Sequence, residues 1–211
     1  MAKASMHIGR NKVSVKHNNR SFDFKKWNKD GHIDRGKTSE NITLIERPLR
    51  KVFEEQFGSA IEEFNKKQSK HPDRITSVGK YYNEHKKEQV EMIVQFGSEG
   101  DRPLSDEQYI ELYKNYVEKF QRDNPNLVVF GAYIHMDETT PHLHLDYIPV
   151  ADMSRGMTKK ASMEGALGNM GYKRAKDQKY NDTPWKRWER DQRNNLEQFI
   201  QETTGCTVTP H

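Results

Sequence analysis

The sequence predicts an α+β domain with a mainly antiparallel β-sheet and with helices packed on one face. Segments of alternating apolar residues, typical of half-buried strands, lie among segments in which apolar residues recur every three or four positions, typical of amphipathic helices. Two strand-like segments around residue 140 are separated by only a few residues, which favours a hairpin over a parallel crossover. At 211 residues, we expect one domain, residues 1–211.

The first quarter of the chain is polar and basic. Residues 6–9 predict a short strand, and residues 16–40 predict a long loop. Residues 1–51 hold 13 Lys and Arg against 5 Asp and Glu, although the net charge of the whole chain is only +4. This region is therefore either a solvated arm or a surface that binds phosphates.

The remaining elements follow from periodicity and capping signals. Ser105 begins a capping box, and Thr183 and Pro184 are typical of an N-cap and the first helical residue, with Gly205 just past the helix end. The predicted elements are a helix over 47–68, a strand over 90–96, a helix after Ser105, strands over 126–135 and 142–150, and a C-terminal helix over about 184–203.

Three histidines stand out around the predicted hairpin. His142 and His144 are two positions apart on one strand, so they share a face, while Leu143 points to the other face. On the preceding strand, residues 128, 130, 132 and 134 form a uniformly apolar row, and His135 belongs to the opposite row. If the two apolar rows share a face, all three imidazoles converge on the other one, as a three-ligand metal site requires.

The bulk composition indicates a soluble cytoplasmic protein. The mean hydropathy is −1.08, and Cys206 is the single cysteine, which fits a reducing compartment. The sequence shows neither a signal-peptide pattern nor eighteen consecutive apolar residues.

The stretch "HMDETTPHLHLDYIP" resembles the histidine-triad motif H-x-D-E-x-T-P-H-x-H of the MobV-type plasmid mobilisation relaxases, also called Mob/Pre or plasmid recombination enzymes. Each fixed position of that motif is matched. A second stretch, "KHNNRSF", is similar to the family's H-N-x-R motif, which gives His17, Asn18 and Arg20. Weaker likeness extends over most of the chain.

The resemblance implies a metal-dependent enzyme that nicks origin-of-transfer DNA by transesterification and stays joined to the 5′ phosphate. His135, His142 and His144 would hold a divalent metal ion, with Mn²⁺ or Mg²⁺ expected and Zn²⁺ a further option. His17 would be the nucleophile, which requires one unprotonated ring nitrogen. No small-molecule cofactor is expected.

Two further residues are candidates for the chemistry. Glu138 is expected to orient the imidazole of His17, against the alternative of an exposed turn residue. Arg20 lies three residues after His17 and is expected to grip a phosphate bidentately. Asp137 is left without a chemical role, because it could equally bond to a metal-ligating side chain or form a turn.

The basic loop is expected to steer DNA without reading its sequence. Trp27 either stacks on an unpaired base or packs internally. The DNA partner implied is single-stranded or hairpin origin DNA, and a coupling protein or membrane contact is implied through a region that lies outside this sequence. The basic candidates for DNA contact are Lys16, Arg20, Lys25, Lys26, Arg35 and Lys37.

Two alternatives stay open. A rolling-circle replication initiator would use a tyrosine nucleophile, for which Tyr82 is the candidate, whereas Tyr109, Tyr113 and Tyr116 have the spacing of core residues on a helix. A non-catalytic DNA-binding module would instead use the histidines to hold a structural zinc ion.

Overall fold

The computed structural model describes residues 2–10, 13–24, 31–174 and 182–209. Within these ranges the strands are β1 (Ala2–Arg10), β2 (Ile42–Glu46), β3 (Val90–Phe96), β4 (Leu127–His135), β5 (His142–Pro149), β6 (Ala151–Asp152), β7 (Lys159–Lys160) and β8 (Val208–Thr209). The α-helices are α1 (Val15–Asn18), α2 (Leu49–Lys66), α3 (Val78–His85), α4 (Asp106–Asp123), α5 (Met163–Asn169) and α6 (Pro184–Thr204). None of these helices has the length and apolar character needed to cross a membrane.

Six of the strands form one sheet in the order β2-β4-β5-β3-β1-β8. Neighbouring strands are antiparallel, except that β1 and β8 pair in parallel. The hairpin of β4 and β5 lies inside this sheet, with β2 on one side and β3 on the other. The predicted α+β class, with a mainly antiparallel sheet, is confirmed.

Helices α4 and α6 cover one face of the sheet. Leu143, Leu145 and Tyr147 of β5 point to this face and share a core with Phe120 of α4 and Trp188 of α6. Each large apolar side chain buried in this way stabilises the fold by roughly 1.5–3 kcal/mol. This is the face opposite the histidines, where the sequence placed the helices.

The ends of both long helices follow the predicted capping signals. Ser105 and Gln108 form a complete capping box at the start of α4. Thr183 accepts a hydrogen bond from the backbone of Lys186 at the start of α6, and Gly205 ends α6 with a φ of 69°. A left-handed backbone conformation favours glycine and ends an α-helix, so the helix stops where the sequence predicted.

A β-bulge changes which residues of β4 face the histidines. The register shifts between Val129 and Gly131, so Phe130 is an extra residue. The prediction of one apolar row from 128 to 134 is therefore wrong in its first half. Ala132 and Ile134 lie in the core under α4 and α6, whereas Val128 and Phe130 point to the histidine face and pack with the residues of α2.

Helices α2 and α3 cover the far end of the histidine face, a placement that the sequence did not indicate. Phe53 and Phe57 of α2 and Tyr81 of α3 form a second core with Phe130 and Ile148 of the sheet. This second core leaves the end of the face that carries the histidines to other segments.

The basic N-terminal region is more ordered than predicted. The strand expected over residues 6–9 extends over Ala2–Arg10, because small alanines share its buried side with Met6. The loop expected over residues 16–40 contains most of α1 and a 3₁₀ turn, Thr38–Glu40. The edge strand β2 was not predicted at all.

Candidate active site

The hairpin brings the three histidines of β4 and β5 together. His135 is directly opposite His142, and His144 lies two residues further along β5. Their ring centroids are 4.3 to 5.1 Å apart, and all three side chains are buried. The convergence that the strand pattern predicted is present, on the face opposite the α4–α6 core.

Each of these imidazoles has one ring nitrogen bonded to an oxygen acceptor. His135 Nε2 is 2.8 Å from the Asn18 carbonyl, His142 Nδ1 is 3.0 Å from the Thr140 carbonyl, and His144 Nδ1 is 2.9 Å from a Glu91 carboxylate oxygen. Carbonyl and carboxylate oxygens only accept, so each of these nitrogens donates a proton. When a ring is neutral, its other nitrogen therefore carries a lone pair.

The three lone pairs have the arrangement that a cation requires. His142 Nε2 and His144 Nε2 are 3.1 Å apart, and His135 Nδ1 is buried without a hydrogen-bond partner among the described residues. Burial lowers the pKa of both His142 and His144, so these rings are neutral. Facing lone pairs on neutral imidazoles repel each other unless a cation lies between them. Histidines that bind a metal ion typically donate their other ring N–H to a carbonyl or carboxylate oxygen, as these three do. The residues thus fit a divalent metal ion.

Two candidate ligand groups surround His135. One consists of His17, His135 and His144, and the other of His135, Glu138 and His142, and the ligand atoms of each group lie within 4.8 Å of one another. A Glu138 carboxylate oxygen is 3.7 Å from His135 Nδ1 and 3.8 Å from His142 Nε2. The predicted triad is therefore flanked by His17 on one side and by Glu138 on the other.

His17 lies on α1, against the triad. Its ring centroid is 5.7 Å from that of His135 and 5.5 Å from that of His144, and the Phe22 ring stacks on it at 5.8 Å. Burial, followed by the charge of Arg20, lowers the pKa of His17 to about 4. The imidazole is thus neutral at neutral pH, as a nucleophile must be.

The guanidinium of Arg20 is bound to carboxylates. Its Nε and Nη2 bind the two oxygens of Asp137 at 3.1 and 2.6 Å, and Nη2 also lies 2.7 Å from Glu138. Its Nη1 is 3.3 Å from His17 Nε2, and because arginine only donates, that nitrogen is the acceptor. The bidentate grip expected on a phosphate is thus made to Asp137, whose fully buried carboxylate requires a counter-ion. A phosphate contact through Nη1 stays a prediction.

Glu138 does not contact His17 directly in the described part of the chain. Its carboxylate pairs with Arg20 and lies near His135 and His142 instead. Burial acts to raise the pKa of Glu138, but the neighbouring His135, His142 and Arg20 hold it well below its usual range. Its charge acts on His17 through space and favours the protonated imidazole.

Two carboxylates beneath α1, Glu91 and Asp146, were missed from the sequence as parts of the site. Asn18 Nδ2 donates to Glu91 at 2.8 Å and to both oxygens of Asp146 at 2.9 and 3.1 Å. Burial, reinforced by the charge of Glu91, raises the pKa of Asp146 to about 8. Gly131 makes room for this group, since a Cβ there would lie 2.8 Å from Asp146 Oδ2. Glu91 occupies a polar position in the alternating pattern of β3, and this carboxylate was the signal by which the sequence could have identified it.

The basic candidates for DNA contact are only partly within the described residues. Lys16, Arg35 and Lys37 are exposed, and the Arg35 guanidinium lies 4.8 Å from the ring centroid of Phe24. Their role in DNA binding stays a prediction. Lys25, Lys26 and Trp27 lie outside the described residues.

The four candidate tyrosines, which all lie within the described residues, do not belong to the histidine cluster. Tyr82 packs against Phe53 in the second core, with ring centroids 5.3 Å apart. Tyr109, Tyr113 and Tyr116 are buried in the α4 core, as their spacing predicted, and the Tyr113 hydroxyl donates to the Pro141 carbonyl at 2.8 Å.

Comparisons with known proteins give a family and a fold. The family model described as plasmid recombination enzyme, Mob_Pre, matches residues 3–199. A solved structure of the MobM relaxase domain (MOBV; Mob_Pre), bound to plasmid pMV158 oriT DNA and to Mn at pH 6.8, is 17% identical, with a TM-score of 0.55 over 99% of this chain and 90% of that chain. A Mn-bound structure of the same domain with oriT DNA at pH 5.5 is 19% identical, with a TM-score of 0.54 and the same coverage. None of the curated proteins matches the chain.

Proposed function

The chain belongs to the plasmid recombination enzyme family, and we propose that it is a relaxase that nicks one strand of origin-of-transfer DNA with His17 as the nucleophile. The product would be a covalent adduct between His17 and the 5′ phosphate, with a free 3′ hydroxyl. The solved relatives that are bound to oriT DNA support the substrate class. A cytoplasmic location and a coupling-protein partner stay predictions.

One observation carries the proposal. A neutral, half-buried imidazole lies beside three further imidazoles whose lone pairs face one another. His135, His142 and His144 would hold a cation, and His17 would attack the phosphorus atom. A structural site would not require a neutral histidine next to the ligands, whereas a nucleophilic reaction does.

The donor set favours manganese or zinc over magnesium. His135, His142 and His144 would be the ligands, and imidazole suits transition ions, whereas magnesium prefers oxygen donors. The solved relatives are Mn-bound, which supports manganese. When bound, the ion would neutralise charge that develops on the scissile phosphate.

The transfer step can be written with the residues of this chain. The lone pair of His17 Nε2 forms a bond to phosphorus, and the bond between phosphorus and the 3′ oxygen breaks. The Nδ1 proton of His17 then leaves and ends on the 3′ hydroxyl, which balances the reaction. Arg20 Nη1 now lies 3.3 Å from His17 Nε2, so it must release that nitrogen, and a phosphate oxygen would take its place.

The test is adduct formation with single-stranded fragments that tile the replicon carrying the gene, labelled at either end. Wild type, His17→Ala, Tyr82→Phe and the matched control His7→Ala, an exposed histidine of β1, would be incubated with Mn²⁺ or with a chelator. We expect a denaturation-resistant adduct that needs Mn²⁺, carries the 5′ phosphate and is lost only in His17→Ala.

Loss of the adduct in Tyr82→Phe alone would assign the nucleophile to tyrosine. If no fragment is cut with any metal and chelation unfolds the protein, the histidines hold a structural ion and the proposed activity is wrong.

A further inference from the structure

A polar cavity adjoins the candidate active site on the β2 side. It has a volume of about 310 Å³ and lies between α1 and the strands β2 and β4. Arg20 and His135 border it, so it opens next to the proposed nucleophile, His17, and the proposed metal ligands. Its polar lining is Asn18, Asn19, Thr38, Asn41, Thr43 and Tyr133.

Two asparagines that line the cavity keep one amide atom unpaired. Asn41 Oδ1 accepts from the backbone of Met136 at 2.7 Å and of Asp137 at 3.2 Å, which fixes its Nδ2 as a donor. That Nδ2 is buried without a hydrogen-bond partner in the described part of the chain, and so is Asn18 Oδ1. Asn18 is 2% exposed, and its Nδ2 is fully used by Glu91 and Asp146. The cavity lining thus includes two amide groups that each have one hydrogen-bonding atom left unpaired among the described residues.

We infer that this cavity binds one unpaired nucleobase of the DNA strand, next to the scissile phosphate. The edge of a nucleobase presents hydrogen-bond donors and acceptors side by side, and neutral amides and hydroxyls are the groups that read such edges. A phosphate is a poorer match, because the cation that the described residues place at this cavity is Arg20, whose Nε and Nη2 bind Asp137 and Glu138 and whose Nη1 lies beside His17. The volume lies near the lower limit of small-molecule sites, about 300 Å³, which suits a single base.

This inference rests on the proposed function and adds a consequence for positioning. A base held beside Arg20 and His135 would fix the register of the strand, so that one particular phosphate lies at His17. Sequence selection at this position would then come from the pocket rather than from the basic loop.

The test is an abasic scan of a fluorescent single strand that covers the mapped nick site, with binding measured by anisotropy in the presence of a chelator. Asn41→Asp keeps the acceptor for the two backbone groups but removes the Nδ2 donor, and Thr43→Val removes a lining hydroxyl from an exposed edge strand. Asn83→Asp, an exposed residue of α3, is the control for the added charge.

In wild type, we expect one abasic position near the nick to weaken binding by ~10-fold. Asn41→Asp and Thr43→Val should weaken binding of the intact strand and should lose the penalty at that position alone, whereas Asn83→Asp should keep it. Thermal melting checks the fold, and Thr43→Val carries the test if Asn41→Asp is unfolded.

The inference is wrong if the abasic penalty is unchanged in both pocket variants, or if wild type shows no position-specific penalty. Nicking by wild type together with either result would leave the proposed function intact. If wild type neither binds nor nicks any fragment, both the activity and the pocket assignment fail.

Discussion

The buried ion pair between Arg20 and Asp137 gives a direct test of how α1 is held. Asp137 is fully buried, accepts two hydrogen bonds from the Arg20 guanidinium and accepts a third from Thr38 Oγ1 at 3.1 Å. Removing one partner of a buried pair costs about 3–5 kcal/mol, because the other charge is left without compensation. Glu138 still pairs with Arg20 in Asp137→Ala, so we expect a loss near the lower limit, about 3 kcal/mol.

The assay is urea unfolding at neutral pH. The control is Asp73→Ala, an exposed carboxylate for which we expect a change within about 0.5 kcal/mol. The double variant Arg20→Met, Asp137→Ala should lose less stability than the sum of the two single variants, because both single variants break the same ion pair. A loss in Asp137→Ala no larger than that of the control would refute the reasoning, and so would full additivity in the double variant.

Two further predictions concern the carboxylates beneath α1. Between about pH 4 and 8, Asp146 is protonated in the folded state but ionised when unfolded, so this residue contributes a decrease in the free energy of unfolding as the pH rises. Asp146→Asn should lack this decrease and should be more stable than wild type at pH 8. An equal pH dependence of the free energy of unfolding in the two proteins, measured by urea titration, would contradict this. Glu91→Ala should weaken Mn²⁺ binding by about 10–100-fold in calorimetry, because His144 loses the acceptor that fixes its tautomer. Glu46→Ala, which removes an exposed carboxylate bonded to Asn19, should not weaken it, and equal affinities in the two variants would exclude this role for Glu91.

The parts of the site that depend on local pattern could be predicted from the sequence. His142 and His144 share a face because strand side chains alternate, and a short connection brings His135 beside them. The same rule failed before Gly131, because one extra residue at the bulge reverses the alternation and no local pattern marks it.

Contacts between distant segments could not be predicted in this way. The partner of Arg20 is 117 residues away, and Asn18 bonds to Glu91 and Asp146 across separate strands. Such pairings depend on how the folded segments dock. The sequence therefore predicted a phosphate as the partner of Arg20 and gave no role to Asp137.

The shortness of α1 explains why its polar residues are so heavily bonded. A helix of four residues has no stability of its own, so tertiary contacts must fix the position of His17. The side chain of Asn18 donates to Glu91 of β3 and Asp146 of β5, and its backbone carbonyl accepts from His135. Arg20 adopts a φ of 55°, an unfavourable conformation for a residue with a side chain, and its ion pairs hold it there. The sheet thus carries the proposed metal ligands, and a short segment carries the proposed nucleophile. The hydrogen bonds of Asn18 and Arg20 set the distance between the two, so a change at either residue should affect the transfer step before it affects the fold of the sheet.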